Sequence, residues 1–499
     1  MRTGRRGPIN LKNFIGGKWV QARGRIFKNL NPADTRQELD RFREATRDDV
    51  EGAVLAARTA LKSWTLKPAP KRAEIILRAG RMLEQNKERL ARIMTAEMGK
   101  VLKEARGDVQ EAVDMAYYTA GEGRRLDGAT LPSELPDKFA FTIRRPVGVA
   151  GLITPWNFPM AIPSWKIFPA LICGNTVVLK PAEDTPRSAY EFVRILEEAG
   201  LPAGVCNMVL GGGETGECLV KHPGIDLLSF TGSSEIGRLV AEHCGRTLKR
   251  CSLEMGGKNA QIVLADADFD LALEGALWGA FGTTGQRCTA TSRVYLERRI
   301  YAKFVKAFVA QAKKIKIGSG KKPGVEMGPL INETQLERVH AHVTGGLREG
   351  AHLECGGKIL KTKALAHGHF YAPTVFTHTR DSMKIIREEI FGPVTCLIPV
   401  EDFEEALTRA NDSAYGLSSS LYTRDVSLAM RAIRDLEAGI TYINGPTIGA
   451  EVHLPFGGIK NTGNGHREAG RSSLDIFSEW KSVYVDFSGR LQKAQIDLD

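Results

Sequence analysis

The apolar positions in the first quarter of the chain recur at the spacing of helices. A first helix is predicted shortly after residue 46, where Val50 and Val54 fall on one face behind an acidic start. Residues 70–121 continue the period and predict two more long helices, with breaks at Gly80 and Gly99.

After residue 146, short apolar runs alternate with helical stretches. Strands are predicted at 147–154, 176–180, 205–210, 226–230 and 250–254, and helices at 162–171, 188–199, from 211 onward and at 234–243. Strands that alternate with helices form parallel sheets, and ligands bind beyond the carboxyl ends of such strands. Lys180, Phe230 and Glu254 stand at three of these ends.

A second alternating series follows Gly257. Helices are predicted near 268–281, 300–316, 333–349, 402–411 and 425–436, and strands near 292–297, 394–400, 418–422 and 439–443. The sequence therefore predicts an α/β fold with two parallel-sheet domains. The first domain would comprise residues 1–125 and 147–257, and the second residues 258–470.

Two segments outside these series read as exposed strands. Residues 139–143 alternate in polarity, and residues 482–487 form a second candidate of the same kind. Exposed strand edges need partners, so residues 126–146 and 471–499 are predicted to form a small β arm that joins a homo-oligomer. Residues 1–30 are basic and are predicted to be loop-like, with a turn over residues 16–19.

Composition indicates an ordinary soluble globular protein. The 499 residues are 42% hydrophobic and 25% charged, which suffices for several packed cores. No apolar run approaches the ~18 residues of a membrane-spanning helix, and no apolar segment follows the basic N-terminus as in a signal peptide. The eight cysteines are scattered without a CxxC pair, so neither zinc nor a disulfide framework is predicted, and a reducing cytoplasm is expected.

The net charge of +11 raises the question of an anionic partner. Nucleic acid is one candidate, but the basic residues are dispersed, and the densest run, residues 313–322, contains no aromatic side chain. A solvated surface fits that run better. A small anionic substrate or a dinucleotide is the preferred interpretation, with no nucleic acid and no membrane as partner.

Residues 281–289 read Phe-Gly-Thr-Thr-Gly-Gln-Arg-Cys-Thr, a glycine-punctuated loop that presents Cys288. Gly282 and Gly285 leave room above the thiol. Arg287 stands beside it, and a nearby cation favours the reactive thiolate. A nucleophilic cysteine also needs a base and a donor for the oxyanion.

Two other stretches offer those groups. Residues 253–258 read Leu-Glu-Met-Gly-Gly-Lys and contain Glu254, and residues 154–159 read Thr-Pro-Trp-Asn-Phe-Pro and contain Asn157. A carboxylate suits water activation, and a neutral amide suits an oxyanion. Taken singly, each residue also has a structural interpretation: Cys288 as a buried thiol, Glu254 as an ion-pair partner and Asn157 as a turn residue.

Together these stretches resemble the aldehyde dehydrogenase superfamily. Phe-Thr-Gly-Ser at 230–233, Glu-Ile-Phe-Gly-Pro at 389–393 and Pro-Phe-Gly-Gly at 455–458 extend the resemblance, in order, from about residue 31 to beyond residue 465. The resemblance implies an aldehyde dehydrogenase-like fold: a dinucleotide-binding domain, a catalytic domain with the nucleophilic cysteine and an oligomerisation arm. It also implies NAD(P)-dependent oxidation of an aldehyde to a carboxylic acid.

The same resemblance implies a role for each catalytic residue. Cys288 would attack the aldehyde, while the Asn157 amide and the Cys288 backbone N–H would hold the oxyanion. Hydride would pass to the nicotinamide, and Glu254 would activate the water that hydrolyses the thioester. Lys166 is a weaker candidate for orienting Asn157.

The cofactor is expected to be NAD, with NADP as the alternative. The start of the helix after Gly232 could hold a pyrophosphate, and the resemblance places the adenosine ribose near Lys180 and Glu183. A carboxylate at Glu183 suits free ribose hydroxyls and repels a 2′-phosphate. The complete expected set is Thr154, Pro155, Trp156, Lys180, Glu183, Phe230, Gly232, Ser233, Gly237, Leu253, Gly256, Glu389 and Phe391.

The substrate tunnel is expected to be lined by Met160, Ala161, Ile162, Trp165, Arg287, Thr289, Glu451 and His453. Arg287 and His453 could bind the carboxylate of a semialdehyde. Residues 163–166 and 288–293 are similar to enzymes that oxidise 2,5-dioxovalerate, whereas 109–111 and 449–451 are similar to the aminoadipate-semialdehyde branch. Both substrates stay open, as does a broad specificity.

Three other functions are weighed against oxidation to an acid. A CoA-acylating relative would pass the thioester to CoA, but Glu254 favours water as the acceptor. A structural descendant without activity would not need Asn157, Glu254 and Cys288 together. A nucleic-acid binder would need a clustered basic face.

Overall fold

The computed structural model describes residues 8–496. Residues 1–7, the basic start on which the prediction of no signal peptide rests, lie outside the described residues. Residues 497–499 of the predicted arm also lie outside them. Within residues 8–496, no helix is long and apolar enough to cross a membrane.

The N-terminal segment is built of strands rather than the predicted loop. The strands are β1 (Ile9–Leu11), β2 (Asn13–Ile15), β3 (Lys18–Val20), β4 (Ile26–Asn31) and β5 (Asp34–Arg43). The loop prediction is wrong because three-residue strands are too short to show an alternating pattern. The predicted turn is confirmed at Gly16 and Gly17, which have φ of +58° and +78° and reverse the chain between β2 and β3, whereas Lys18 and Trp19 already belong to β3.

Four helices follow, namely α1 (Arg47–Leu66), α2 (Ala69–Gln85), α3 (Lys87–Glu97) and α4 (Leu102–Glu122). The break predicted at Gly80 is wrong, because this glycine lies inside α2 where a methyl group would come 2.9 Å from Ala116 of α4. The glycine therefore serves close helix packing rather than chain reversal. The break at Gly99 is confirmed, with a φ of +92°.

The middle of the chain contains β6 (Thr130–Leu131), β7 (Lys138–Pro146), β8 (Val149–Ile153), α5 (Ala161–Cys173), β9 (Thr176–Lys180), α6 (Pro186–Glu198), β10 (Cys206–Met208), α7 (Gly213–Lys221), β11 (Leu227–Thr231), α8 (Ser234–Thr247) and β12 (Arg250–Glu254). Five of these strands form a parallel sheet in the order β12-β11-β8-β9-β10, and β2 and β3 extend it in the antiparallel sense. Thr231 pairs with Glu254, and Ile153 with Lys180, so the carboxyl ends of four strands meet at one edge.

The next part contains β13 (Asn259–Val263), α9 (Phe269–Phe281), β14 (Thr291–Glu297), α10 (Arg298–Ala312), α11 (Glu333–Arg348), β15 (His352–Cys355), β16 (Thr374–Thr377), α12 (Lys384–Arg387), β17 (Val394–Val400), α13 (Phe403–Asn411), β18 (Tyr415–Gly416), β19 (Ser418–Tyr422), α14 (Val426–Asp435) and β20 (Ile440–Ile443). A second sheet runs in the order β15-β16-β17-β14-β13-β19-β20 and is parallel except for β15. The predicted α/β class is confirmed, while the domain boundaries at 125, 147 and 257 stay predictions.

The sequence did not predict β13, the strand next to Glu254. Its polar residues Asn259 and Gln261 are buried and interrupt the apolar pattern. Asn259 donates to the carbonyls of Cys288 and Ala290, and Gln261 donates to that of Ala272. These bonds satisfy the two amide nitrogens that burial removes from water, while Oε1 of Gln261 has no hydrogen-bond partner within the described residues.

The chain ends with β21 (Ile459–Lys460), α15 (Ser473–Ile476) and β22 (Ser478–Asp486). Both predicted arm strands exist: β7 and β22 pair antiparallel along their lengths, with β6 at the side. Trp480 and Tyr484, which share one face of this sheet, are 54% and 69% exposed, and Phe139, opposite Val485 on the other face, is 48% exposed. A sheet with such large exposed apolar side chains is not fully covered within the described residues.

Helix α9, which leads to Cys288, packs unusually close to the second sheet. A methyl group at Gly275 would overlap the hydroxyl of Tyr422, and one at Gly279 would overlap the hydroxyl of Thr291. Both partners are fully buried. The absence of side chains at the two glycines thus sets the distance between the helix and the strands that flank the cysteine loop.

We expect Gly275→Ala to lower the melting temperature, although alanine favours helices, because overpacking costs about 1–3 kcal/mol. Gly107→Ala is the matched control, since Gly107 lies inside α4 with nothing within 4 Å of an added methyl group. That change should raise the melting temperature through helix propensity. Differential scanning fluorimetry of both variants compares them directly, and equal shifts would contradict the packing argument.

Candidate active site

A cavity of about 150 Å³ lies where the carboxyl ends of the first sheet face the cysteine loop. It contains Cys288 and Asn157 together with seven of the residues predicted to hold a cofactor. Its lining consists of Pro155, Trp156, Asn157, Ile162, Thr231, Gly232, Ser233, Met255, Gly256, Cys288, Gln335, Arg338, Glu389 and Phe391. Residues from both sheets therefore meet at one concave site.

The backbone before Cys288 is strained into a tight turn. Thr283 and Thr284 adopt left-handed φ angles of 51° and 60°. The N–H of Thr283 donates to the Glu104 carboxylate over 2.6 Å, and the Thr284 hydroxyl donates to the carbonyl of Gly328 over 3.1 Å. Such conformations persist only where surrounding contacts hold them, so α4 helps to fix the position of the thiol.

The thiol of Cys288 is held in its protonated form. Burial raises its pKa to about 12, and the negative charges of Glu389 and Glu254 act in the same direction. The backbone N–H groups of Thr289 and Cys288 oppose this rise, which means that they point toward the sulfur. The site therefore needs a base to take the thiol proton before the sulfur can act as a nucleophile.

The predicted influence of Arg287 on the thiol is wrong. Its guanidinium turns away: Nε donates to the Thr283 hydroxyl over 2.9 Å, and the head lies 3.6 Å from the Glu104 carboxylate. The charge also stacks over Trp278 and Phe158, at 5.1 and 5.5 Å from the ring centroids. Arg287 lies in a bend and Cys288 in the turn that follows, so adjacency in the sequence did not place the charge at the sulfur.

Asn157 is buried in the cavity wall with its amide directed at the cysteine loop. Its Nδ2 donates to the backbone carbonyl of Gln286 over 3.2 Å. Among residues 8–496 its Oδ1 has no hydrogen-bond partner. The structure thus brings the predicted amide donor to the residues just before Cys288.

Glu254 is a buried carboxyl group next to the cavity. Neither of its carboxyl oxygens has a hydrogen-bond partner within the described residues, and a methyl group at Gly457 would come 2.6 Å from Oε1. Burial raises its pKa well above the usual range, and the nearby Glu468 adds to the rise, while Lys166 and Arg467 oppose it. Its charge acts on the Cys288 thiol, so the structure brings base and nucleophile within electrostatic reach.

Lys166 does not orient Asn157 as predicted. In the described structure its fully buried ammonium donates to the Ser229 hydroxyl over 2.8 Å and pairs with the Glu468 carboxylate. This ion pair lies behind Glu254. Glu468 was missed in the sequence because only the fold brings it to Lys166, 302 positions away.

The expected cofactor residues divide into two groups. Pro155, Trp156, Gly232, Ser233, Gly256, Glu389 and Phe391 line the cavity. The remainder lie around it, among them Lys180 and Glu183, which form an ion pair of 3.1 Å beyond β9. Phe230 and Leu253 are buried, Gly237 packs on Met255, and the N–H of Thr154 bonds to the carbonyl of Lys180.

Several features of the cavity suit a dinucleotide. Ser233 caps α8, and the first N–H groups of this helix face the cavity side of the sheet. Gly256 has no room for a side chain because Glu389 fills the space, and the Glu389 carboxylate accepts from the N–H of Gly257 over 3.0 Å. Phe391 stands edge-on to Trp156 with a centroid distance of 5.3 Å. A position that accepts only glycine keeps the backbone accessible, and the neighbouring aromatic pair offers apolar surface. Both features suit the binding of a flat ring.

The expected substrate residues are only partly brought together. Ile162 and Arg287 lie near the cysteine, and Trp165 packs edge-on against Phe456 at 4.9 Å. Met160 and Ala161 are buried, with their N–H groups donating to Asp108, and Thr289 accepts from the Thr447 hydroxyl. His453 and Glu451 face each other at 3.6 Å and are exposed, so the predicted carboxylate binder His453 already has an acidic neighbour.

Glu111 and Tyr442 are two further titratable groups of the site; the sequence offered Glu111 only as part of the stretch 109–111, and it did not single out Tyr442. Burial raises the pKa of Glu111 to about 8, Asp108 raises it further, and Lys100 and Arg287 oppose. Burial also raises the pKa of Tyr442 to about 12, with Glu451, Cys288 and Glu111 contributing. These side chains therefore face the space around Cys288 and Arg287.

Comparison with protein families and curated proteins gives a uniform picture. The aldehyde dehydrogenase family matches residues 19–483. Alpha-ketoglutaric semialdehyde dehydrogenase of Bacillus subtilis is 41% identical over 475 residues, covering 95% of this chain and 97% of the relative. Alpha-ketoglutarate semialdehyde dehydrogenase of Haloferax volcanii is 42% identical over 479 residues, covering 95% and 99%.

Other similar proteins carry different substrate names or known structures. Retinal dehydrogenase 2 of Gallus gallus is 41% identical over 483 residues, covering 95% of this chain and 92% of the relative. The crystal structure of betaine aldehyde dehydrogenase from Staphylococcus aureus in complex with NAD⁺ superposes with a TM-score of 0.94 at 35% identity, covering 96% of each chain. With the site geometry, these matches show that this chain belongs to the aldehyde dehydrogenase family.

Proposed function

We propose that this protein oxidises an aldehyde to a carboxylic acid through a thioester on Cys288. The observation that carries the proposal is that Cys288 and Asn157 line one cavity suited to a dinucleotide. Glu254 lies next to this cavity, acts on the Cys288 thiol by its charge, and has no hydrogen-bond partner for its carboxyl group within the described residues. Two groups with raised pKa values, placed side by side, can exchange a proton at neutral pH.

The first step uses the chain's own acid and base. The ionised form of Glu254 takes the proton of the Cys288 thiol, and the sulfur then bonds to the aldehyde carbon. The carbonyl oxygen gains the negative charge, which the Asn157 amide and the N–H of Cys288 stabilise. To serve there, Asn157 exchanges its bond with the Gln286 carbonyl for one with the substrate oxygen.

The second step returns the thiol. A nicotinamide dinucleotide held in the cavity would supply the acceptor for the hydride of the substrate carbon. Glu254 releases the thiol proton to solvent and then takes a proton from water, while the hydroxyl oxygen bonds to the thioester carbon. The carbon–sulfur bond breaks, and the proton on Glu254 returns the sulfur to the thiol. Glu468 and Lys166 set the charge around Glu254 and so its readiness to release that proton.

We infer NAD rather than NADP as the cofactor. Glu183 stands beyond β9 with a side chain that is 40% exposed and paired with Lys180. A carboxylate at this position suits the free hydroxyls of an adenosine ribose and disfavours a 2′-phosphate. The Staphylococcus aureus relative was crystallised with NAD⁺, which agrees with the inference.

For the substrate we propose a semialdehyde that carries a carboxylate, with 2,5-dioxovalerate as first choice. Relatives named for alpha-ketoglutarate semialdehyde or 2,5-dioxopentanoate are 39–42% identical to this chain. The Arg287 guanidinium, which is turned away from the sulfur and lies near Glu104, is the candidate for the distal carboxylate, and Glu111, on which its charge acts, has a raised pKa. A protonated Glu111 could donate to a 2-oxo group, whereas an ionised one would pair with a 2-ammonium group as in aminoadipate semialdehyde.

We also propose that the chain forms a homo-oligomer through the sheet of β7 and β22. The exposed apolar side chains of that sheet support the proposal, because a monomer rarely leaves such a face in water. A second copy of the chain would cover it with an equivalent surface.

Glu254→Gln should affect both steps, and steady turnover most. The burst of reduced cofactor should become slower, because the thiol loses its base, while steady turnover falls about 10²–10⁴-fold because water is no longer activated. Cys288→Ala should lose both phases. Stopped-flow absorbance at the wavelength of reduced NAD, run with NAD and then with NADP, measures the burst, the steady turnover and the cofactor preference. Full steady turnover in Glu254→Gln would refute the role of Glu254 as the base.

The pH dependence of thiol alkylation provides a second test. Since burial, Glu389 and Glu254 raise the thiol pKa, alkylation of Cys288 by iodoacetamide in the free enzyme should be slow at neutral pH and rise toward pH 12. Glu389→Gln should move this profile to lower pH by removing one negative charge. Glu88→Gln, on the exposed face of α3, is the matched control and should leave it in place. An unchanged profile in Glu389→Gln would show that its carboxylate does not act on the sulfur.

A substrate panel tests the recognition of the distal group. Arg287→Met should lower kcat/KM for 2,5-dioxovalerate by about 10–100-fold, the value of a hydrogen bond to a charged group, and lower that for propionaldehyde far less. Glu111→Gln should retain 2,5-dioxovalerate, because glutamine still donates, but lose any activity toward aminoadipate semialdehyde. Equal losses for charged and neutral aldehydes in Arg287→Met would exclude Arg287 as the carboxylate binder.

A further inference from the structure

Two cysteines outside the active site are in contact with each other. Cys244 lies in the last turn of α8 and Cys251 is the second residue of β12. Leu248, in a left-handed conformation with φ of 52°, reverses the chain between them. Cys244 is buried in a core cluster against which Cys251 packs, and Cys251 is partly open to solvent. The contact therefore combines a protected thiol with an accessible one.

The accessible sulfur has a second hydrogen-bond donor. The side-chain amide of Asn464 lies 3.6 Å from the sulfur of Cys251 and 2.8 Å from its carbonyl oxygen. The hydrogen bond from Cys244 lowers the pKa of Cys251 to about 7, whereas the pKa of Cys244 is raised because its proton is held in that bond. Cys251 is thus the thiol of the pair that reacts first, and Cys244 stands in place to react with it.

We propose that Cys244 and Cys251 form a redox-active dithiol that hydrogen peroxide converts to a disulfide. In the first step the Cys251 thiolate attacks one peroxide oxygen, which gives a sulfenic acid and hydroxide. The sulfur of Cys244 then bonds to that of Cys251 and displaces the hydroxyl group, and its own proton leaves with it as water. Two thiols and one peroxide give one disulfide and two waters, a two-electron oxidation.

The position of the pair connects it to the proposed base. Asn464, which bonds to the Cys251 sulfur, also accepts from the N–H of Leu253 over 3.0 Å. The neighbouring Gly463 forms a bridge with Glu254 itself. Rotation of the Cys251 sulfur toward Cys244 would break its hydrogen bond with Asn464. Cys251 lies three residues before Glu254 on the same strand. The dithiol is therefore separate from Cys288 but shares a strand with Glu254.

The disulfide can be detected directly because trypsin cuts between the two cysteines, after Arg246, Lys249 and Arg250. The full-length Cys288→Ala protein, which lacks the proposed nucleophile, is treated with hydrogen peroxide, alkylated under denaturing conditions and digested. Mass spectrometry should show peptide 239–246 joined to peptide 251–258, and dithiothreitol should release both. Cys251 found as sulfinic or sulfonic acid, or both cysteines found alkylated, without the joined peptides would overturn the proposal.

Two further variants separate a pair from two independent thiols. In Cys288→Ala/Cys244→Ser, peroxide should carry Cys251 on to the sulfinic acid, because no second thiol captures the sulfenic acid. In Cys288→Ala/Cys218→Ser, which removes a partly exposed cysteine of α7, the joined peptides should form as before. Equal sulfinic acid at Cys251 with and without Cys244 would show that the two sulfurs do not react with each other.

Discussion

The side chain of Asn259, the first residue of β13, holds the loop that presents Cys288. Its amide nitrogen donates to the carbonyls of Cys288 and Ala290, and its oxygen accepts from the N–H of Ser418. Next to it, Gly257 leaves 2.5 Å between the position of a methyl group and the Cys288 carbonyl, so no larger residue fits. One buried amide and one glycine thus join three strands of the second sheet to the loop that presents the thiol.

The acidic groups around the cysteine run against the overall charge of the protein. The chain carries a net charge of +11, yet Glu254, which is buried, and Glu389 and Glu111, which are half-buried, all have raised pKa values. Burial is the largest cause in each case, so these carboxyl groups hold protons near neutral pH rather than making a strongly negative field. The site therefore places several protonated carboxyl groups around a thiol. This is relevant to the proposed reaction, in which the sulfur loses a proton and regains it.

The sequence predicted the sheets well and the directions of side chains poorly. The strands at 176–180, 250–254, 394–400 and 418–422 match the structure because buried apolar runs bounded by turns leave few alternatives. The short N-terminal strands and β13 carry no such pattern. Motifs located Cys288, Asn157 and Glu254, but the partners of Arg287 and Lys166, which are Glu104 and Glu468, come from distant segments that only folding brings near.

The segment around residue 463 has a consequence for how the protein is made. Glu254 receives its backbone bridge from Gly463 and its charged neighbour from Glu468, both synthesised more than 200 positions later. The thiol and its amide neighbour can assemble on a nascent chain before these residues leave the ribosome. The surroundings of Glu254 are therefore completed only after residue 468 has left the ribosome, so the sulfur of Cys288 is made well before the group proposed to activate water has its neighbours.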